Sequence, residues 1–215
     1  DILCANWWEM MNRGRLDTVH SLFEEIGDAE ICAYQPLAIA ATFLYSLAGD
    51  DQRAHVYFGA AESGYFDGQP PDGSASIESA RAILRGSVSF HGVDATLDAG
   101  LKACDLEPAG SKWRPLATLI TAMGHVWRGE LDAAEPLLEE ALASGRSNGA
   151  LVVYALGELA LIRVAFDDID RAVAIAEAGC ERAEHMGLDT MFVAALARGA
   201  AATARLAAGD KRRAA

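Results

Sequence analysis

Apolar positions in this chain follow helical spacing, and the helical stretches are cut at intervals by a terminator. It is a glycine, or once an acidic residue in its place: Gly14, Gly49, Gly92, Gly129, Asp167 and Gly209. The intervals are 35, 43, 37, 38 and 42 residues. Each terminator ends one amphipathic segment and is followed at once by another, as in Gly49-Asp50-Asp51-Gln52-Arg53-Ala54 and Gly129-Glu130-Leu131-Asp132-Ala133-Ala134. Glycine accepts the left-handed backbone that closes a helix. The acidic residue after it caps the next helix and complements that helix's positive N-terminus.

Counting forward from each terminator tests the phase. Five residues on stand Val19, Ala54, Leu97, Ala134 and Ala172, and nine on stand Phe23, Phe58, Leu101, Leu138 and Ala176. Twelve on stand Ile26, Ala61, Cys104, Ala141 and Gly179. All are apolar or small, as the buried stripe of a second helix requires. Seven before the last three terminators lie Ala122, Ala160 and Ala202, small enough for the two helices of a hairpin to cross closely. Trp7, Thr42 and Arg85 hold that place in the first three, which leaves the phase of the early first helices open by about a residue. The pattern predicts about five and a half helix–turn–helix repeats, twelve helices or close to it, and no sheet.

Two features interrupt it. Residues 65–76 contain Gly68, Pro70, Pro71 and Gly73, and read as a loop insertion between the second and third repeats. Pro136 falls inside the second helix of the fourth repeat, where it removes one backbone hydrogen bond and is expected to bend the helix. The chain is read as a single domain over 1–215. It starts without Met and stops just after Gly209-Asp210, a turn that should open another helix, so it is expected to be a fragment of a longer protein.

Composition agrees with an all-α fold, since alanine alone occurs 43 times in 215 residues. The formal charge of −13 disfavours direct nucleic-acid binding and attachment to an anionic membrane. The most apolar stretch, 150–166, is interrupted by Glu158 and Arg163 and reads as a core helix. Four separated cysteines without a Cys-x-x-Cys pair, and no secretory signal, point to reduced thiols in a cytoplasmic protein.

Candidate chemistry is sparse. Gly145-Arg146-Ser147-Asn148-Gly149 matches a nucleophile elbow in letters, but the elbow needs a strand before it, and here a helix precedes. Gly145 is expected to end one helix and Ser147 or Asn148 to cap the next. His20, His55, His91, His125 and His185 are expected in five different helices, with no pair spaced for zinc. No phosphate-binding Gly-x-x-x-x-Gly-Lys loop exists. The expectation is no catalytic residue, no metal, no cofactor and no enzyme.

Gly-Asp/Glu-x-x-x-Ala with a large apolar residue four further on resembles the tetratricopeptide signature, most strongly from Trp113 to Ala215. The longer, irregular, alanine-rich repeats, such as Arg128-Gly129-Glu130-Leu131-Asp132-Ala133-Ala134-Glu135-Pro136-Leu137-Leu138, are similar to the sensor regions of MalT-like LuxR-type bacterial transcriptional regulators. The resemblance implies a right-handed α-α superhelix whose first helices line a concave face. In that class the region stands between a nucleotide-binding module and a helix-turn-helix. It further implies a regulatory segment that takes a small-molecule inducer or a protein partner in the groove. The alternative is a free-standing scaffold for protein partners. On the implied concave face the candidate ligand-binding residues are Trp8, Phe43 and Tyr154, with Glu158 and Arg163 as polar anchors; the same apolar lining also reads as ordinary core. The last first helix, around Met191, Leu196 and Thr203, is expected to be partly uncovered and to favour a homodimer.

Overall fold

The computed structural model describes residues 1–189 and 191–210. Among them the chain is all-α, with no strand. Twelve helices follow in order: α1 (Ile2–Asn12), α2 (Leu16–Ile26), α3 (Asp28–Ala33), α4 (Gln35–Ala48), α5 (Asp51–Ser63), α6 (Ile77–Val88), α7 (Val93–Leu106), α8 (Arg114–Trp127), α9 (Leu131–Ser144), α10 (Gly149–Ala165), α11 (Ile169–His185) and α12 (Phe192–Ala207). Helices pack against their neighbours in sequence. The six-residue α3 is an addition to the expected pattern. The half-helix expected after Asp210 lies outside the described residues.

The terminators work as the backbone sterics require. Gly14, Gly49, Gly129 and Gly209 have φ of 72°, 76°, 75° and 82°, and Asp167 adopts the same left-handed conformation at 60°. At each, the next residue's N–H reaches back five positions, as in Asp50 N to Tyr45 O at 2.9 Å and Asp168 N to Arg163 O at 2.9 Å. The terminator's own N–H bonds three back, as in Gly129 N to Val126 O at 2.9 Å. This is the Schellman closure, which satisfies carbonyls the helix end leaves unpaired. Gly187, outside the expected set, closes α11 in the same way.

The buried stripe of the second helices follows the expected phase in α2, α5, α9 and α11: Val19, Phe23, Ala54, Ala61, Ala134, Leu138, Ala172 and Ala176 are all buried. It fails in α7. Leu101 is 47% exposed, and the buried positions there are Thr96, Leu97, Ala99, Gly100 and Ala103. The cause is at the turn. Gly92 does not end α6; Ser89 does, at φ 53°, and Gly92 becomes the N-cap of α7. The helix then starts one residue after Gly92 rather than two, and its faces rotate by about 100°. Seven before Ser89 stands Ala82, fully buried, so the small crossing residue missing at Arg85 is present one turn earlier. His91 consequently lies in the turn and not in a helix.

Two compact units are present, Asp1–Gly124 and His125–Ala215. In the first, α4 is buried nearly all round and packs against α1, α2, α3, α5 and α6. Close approach of α7 and α8 depends on Gly100: a Cβ there would stand 2.7 Å from the Thr121 backbone nitrogen. In the second unit, α10, α11 and α12 meet along an alanine seam of Ala160, Ala176, Ala200 and Ala201. α9 runs through Pro136 without interruption.

The loop sits where expected, between α5 and α6, and is tied down. Trp113 Nε1 donates to the Asp72 carbonyl at 2.9 Å, and Asp72 Oδ1 accepts from the Ser74 N–H and hydroxyl at 3.0 and 2.7 Å. The buried Glu107 carboxylate accepts from Ala75 N–H at 2.9 Å and from the Ser79 hydroxyl. No helix among the described residues is long and apolar enough to cross a membrane.

Candidate functional site

The sequence-derived site residues fall in both units. In the first, Trp8 on α1 and Phe43 on α4 come together edge-on, with ring centroids 5.8 Å apart. They belong to a larger group. Trp7 lies 5.2 Å from Trp8 and 5.3 Å from Phe43, and Trp113, just before α8, lies 5.2 Å from Trp8. Trp7, Phe43 and Trp113 are buried, while Trp8 is half-buried and is the ring with open area. The Lys112 ammonium sits 5.7 Å from the Trp113 ring. Sequence phase overlooked Trp113 because it precedes its helix and lies on no counted position; its only signal was being an aromatic next to a helix start. Offset and edge-on ring contacts of this kind add to burial, so the group contributes to the core as well as offering one face.

In the second unit, Tyr154 and Glu158 stand one turn apart on α10 and influence each other's ionisation. Glu158 is 6% exposed. Burial raises its carboxyl pKa above the ordinary value, partly opposed by the tyrosine hydroxyl, and burial likewise pushes the Tyr154 phenol up. The Tyr154 ring meets Phe192 of α12 edge-on at 6.1 Å and packs on the cluster of Val153, Leu188, Val193 and Ala194. Arg163 is engaged elsewhere: its guanidinium pairs with Glu135 of α9, and its buried Nε has no hydrogen-bond partner among the described residues. Five residues from Glu158, it points about 140° away around the helix. Glu158 and Arg163 therefore do not act on one spot.

The remaining chemistry is structural. Gly145 ends α9, and Asn148 caps α10 by accepting from Leu151 N–H at 3.1 Å, so the elbow-like letters form a turn between helices. Among the described residues no group of three or more His, Cys, Asp or Glu side chains is placed to hold a metal. Cys4 is buried, which pushes its thiol up to about 11, while Cys32, Cys104 and Cys180 are half-buried; all four are free. No family model, no curated protein and no solved structure matches this chain.

Proposed function

We propose that this chain is a regulatory segment of a LuxR-type transcriptional regulator, a right-handed solenoid of tetratricopeptide-like hairpins that takes a protein partner or a small-molecule inducer on the face of its first helices. The observation that carries the reading is the recurrent hairpin: a left-handed terminator, a Schellman closure and an amphipathic second helix, at Gly14, Gly49, Gly129 and Asp167. The open area of Trp8, backed by Trp7, Phe43 and Trp113, is where the contact is placed. Rigid aromatic surface gives contact area at low entropy cost. In this reading the segment works in the cytoplasm, without catalysis, cofactor or direct contact with nucleic acid. Exposed Phe192 and Leu206 on α12 add a place for self-association.

The complete open reading frame tests the proposal. A phosphate-binding loop upstream and a helix-turn-helix downstream are expected. Their joint absence removes the regulator and leaves a free-standing interaction scaffold.

A further inference from the structure

Residues 69–76 form a strap across one side of the aromatic group. The sequence Gln69-Pro70-Pro71-Asp72-Gly73-Ser74-Ala75-Ser76 holds no large apolar side chain, yet Pro70, Asp72 and Ser74 are buried. A tight turn closes it: Gly73 N–H donates to the Pro70 carbonyl at 3.0 Å, with Gly73 at φ 75°. The turn presents the Asp72 carbonyl to Trp113 Nε1 at 2.9 Å, and Gln69 Nε2 ties the base to the Ser74 carbonyl at 2.5 Å. Hydrogen bonds rather than apolar packing hold the strap, so it parts from the helices at a smaller cost than they part from one another. Its latch is also incomplete. Glu107 is 1% exposed, and its Oε1 accepts from Ala75 N–H at 2.9 Å and from the Ser79 hydroxyl. Its Oε2 is buried with no hydrogen-bond partner among the described residues. An unpaired buried oxygen opposes the closed state, and lifting the strap lets water reach it.

What the strap covers decides its role. Trp113 is 2% exposed, its one indole donor is taken by the strap, and its ring lies 5.2 Å from Trp8, the ring with open area. Lifting the strap frees that donor and joins Trp113 to the open face of Trp8. We propose that the strap is an intramolecular occupant of the aromatic contact face, and that the partner is a proline-containing peptide segment which takes its place and gives Trp113 Nε1 a backbone carbonyl. The strap displays in cis what the indole accepts, a proline turn with a free carbonyl. Proline-rich segments are pre-stiffened and dock on aromatic surfaces at low entropy cost. Because the strap must leave first, the partner's apparent affinity scales with the open fraction, and the closed chain is autoinhibited. This inference rests on the aromatic group being the contact face and needs nothing of the flanking regulator modules.

The probe is a synthetic peptide of residues 69–76, titrated against the whole chain while the indole N–H signals of its four tryptophans are followed by NMR. Hydrogen-exchange protection at the Trp113 indole is compared with that at the Leu44 amide, buried in α4. Ser79→Ala removes one latch bond. Gly73→Ala strains the left-handed turn inside the strap and leaves every helix sequence unaltered, so it serves even if the first variant does not fold. Protection at the Trp113 indole is expected to be at least tenfold below that at Leu44, and to fall at least fivefold further in the variants. The peptide is expected to shift the Trp113 indole and to bind the variants at least fivefold tighter than the parent. The same peptide with alanine at both prolines is expected not to bind. Trp113 protection that tracks Leu44 in parent and variants alike overturns the proposal, as does a peptide that binds no variant or binds as well without its prolines. A peptide that shifts the Trp8 indole alone leaves the contact face standing and sinks the strap's part in it.

Discussion

Gly100→Ala is expected to destabilise the first unit although alanine is the better helix former. Gly100 lies inside α7, where replacing glycine by alanine gains about 1 kcal/mol of intrinsic propensity. The added Cβ would stand 2.7 Å from Thr121 N and 2.9 Å from Thr121 Cα, against the 3.4 Å at which ordinary contact begins. The first shortfall is about 0.7 Å. Both obstacles are backbone, so no rotamer change relieves them and α8 must move as a body. Overpacking of this kind costs about 1–3 kcal/mol, and immovable neighbours place it at the upper end, leaving a net loss of about 2 kcal/mol. Gly59, inside α5 of the same unit, has nothing within 4 Å of its hypothetical Cβ. Gly59→Ala is therefore expected to stabilise by about 0.5–1 kcal/mol. Urea unfolding followed by far-UV circular dichroism separates the two, read as midpoint shifts of opposite sign at constant slope. A Gly100→Ala variant as stable as Gly59→Ala would refute the close approach of α7 to α8.

Asp167→Gly relieves a left-handed non-glycine residue at φ 60° and is expected to raise the stability of the second unit by about 0.5–1 kcal/mol, read in the same unfolding assay. Glu158 has a folded-state pKa above its ordinary value of 4.5, so its contribution to stability is full below that value and is lost as pH rises through the folded pKa. Glu158→Gln is thus expected to flatten the pH dependence of unfolding above pH 4.5 and to be the more stable protein at neutral pH. Trp113→Phe leaves the Asp72 carbonyl without its donor, costs about 1–3 kcal/mol, and is expected to speed amide exchange and proteolysis across 64–76. Tyr154→Ala removes a half-buried ring from the α10–α12 core and is expected to cost about 2–3 kcal/mol in a thermal melt; an unshifted melting temperature would instead favour a ring serving binding alone.

The turns were legible in the residues themselves. A left-handed terminator is a local demand on φ, met by glycine at little cost, so Gly14, Gly49, Gly129 and Gly209 mark helix ends wherever the chain goes. The apolar stripes of α2, α5, α9 and α11 were legible for a similar reason, because helical phase carries forward from a known start. The phase of α7 was decided by tertiary contact. Phe90 stacks on His55 at 4.0 Å and meets Phe58 at 5.3 Å, and His91 lies 5.6 Å from Phe58. These contacts to α5 accompany the left-handed Ser89 and move the helix boundary away from the glycine that local propensity favours. The candidate site divides along the same line. Proximity of Trp8 and Phe43 followed from equal positions on successive first helices, six residues before Gly14 and Gly49. Trp113 joins Trp8 across more than a hundred residues of chain, and Arg163 is taken up by Glu135 on α9. Backbone preference and helical period act within a few residues, so the sequence displays them directly. Which side chains share a partner depends on how whole helices stack, and that is set by the summed burial of many residues at once.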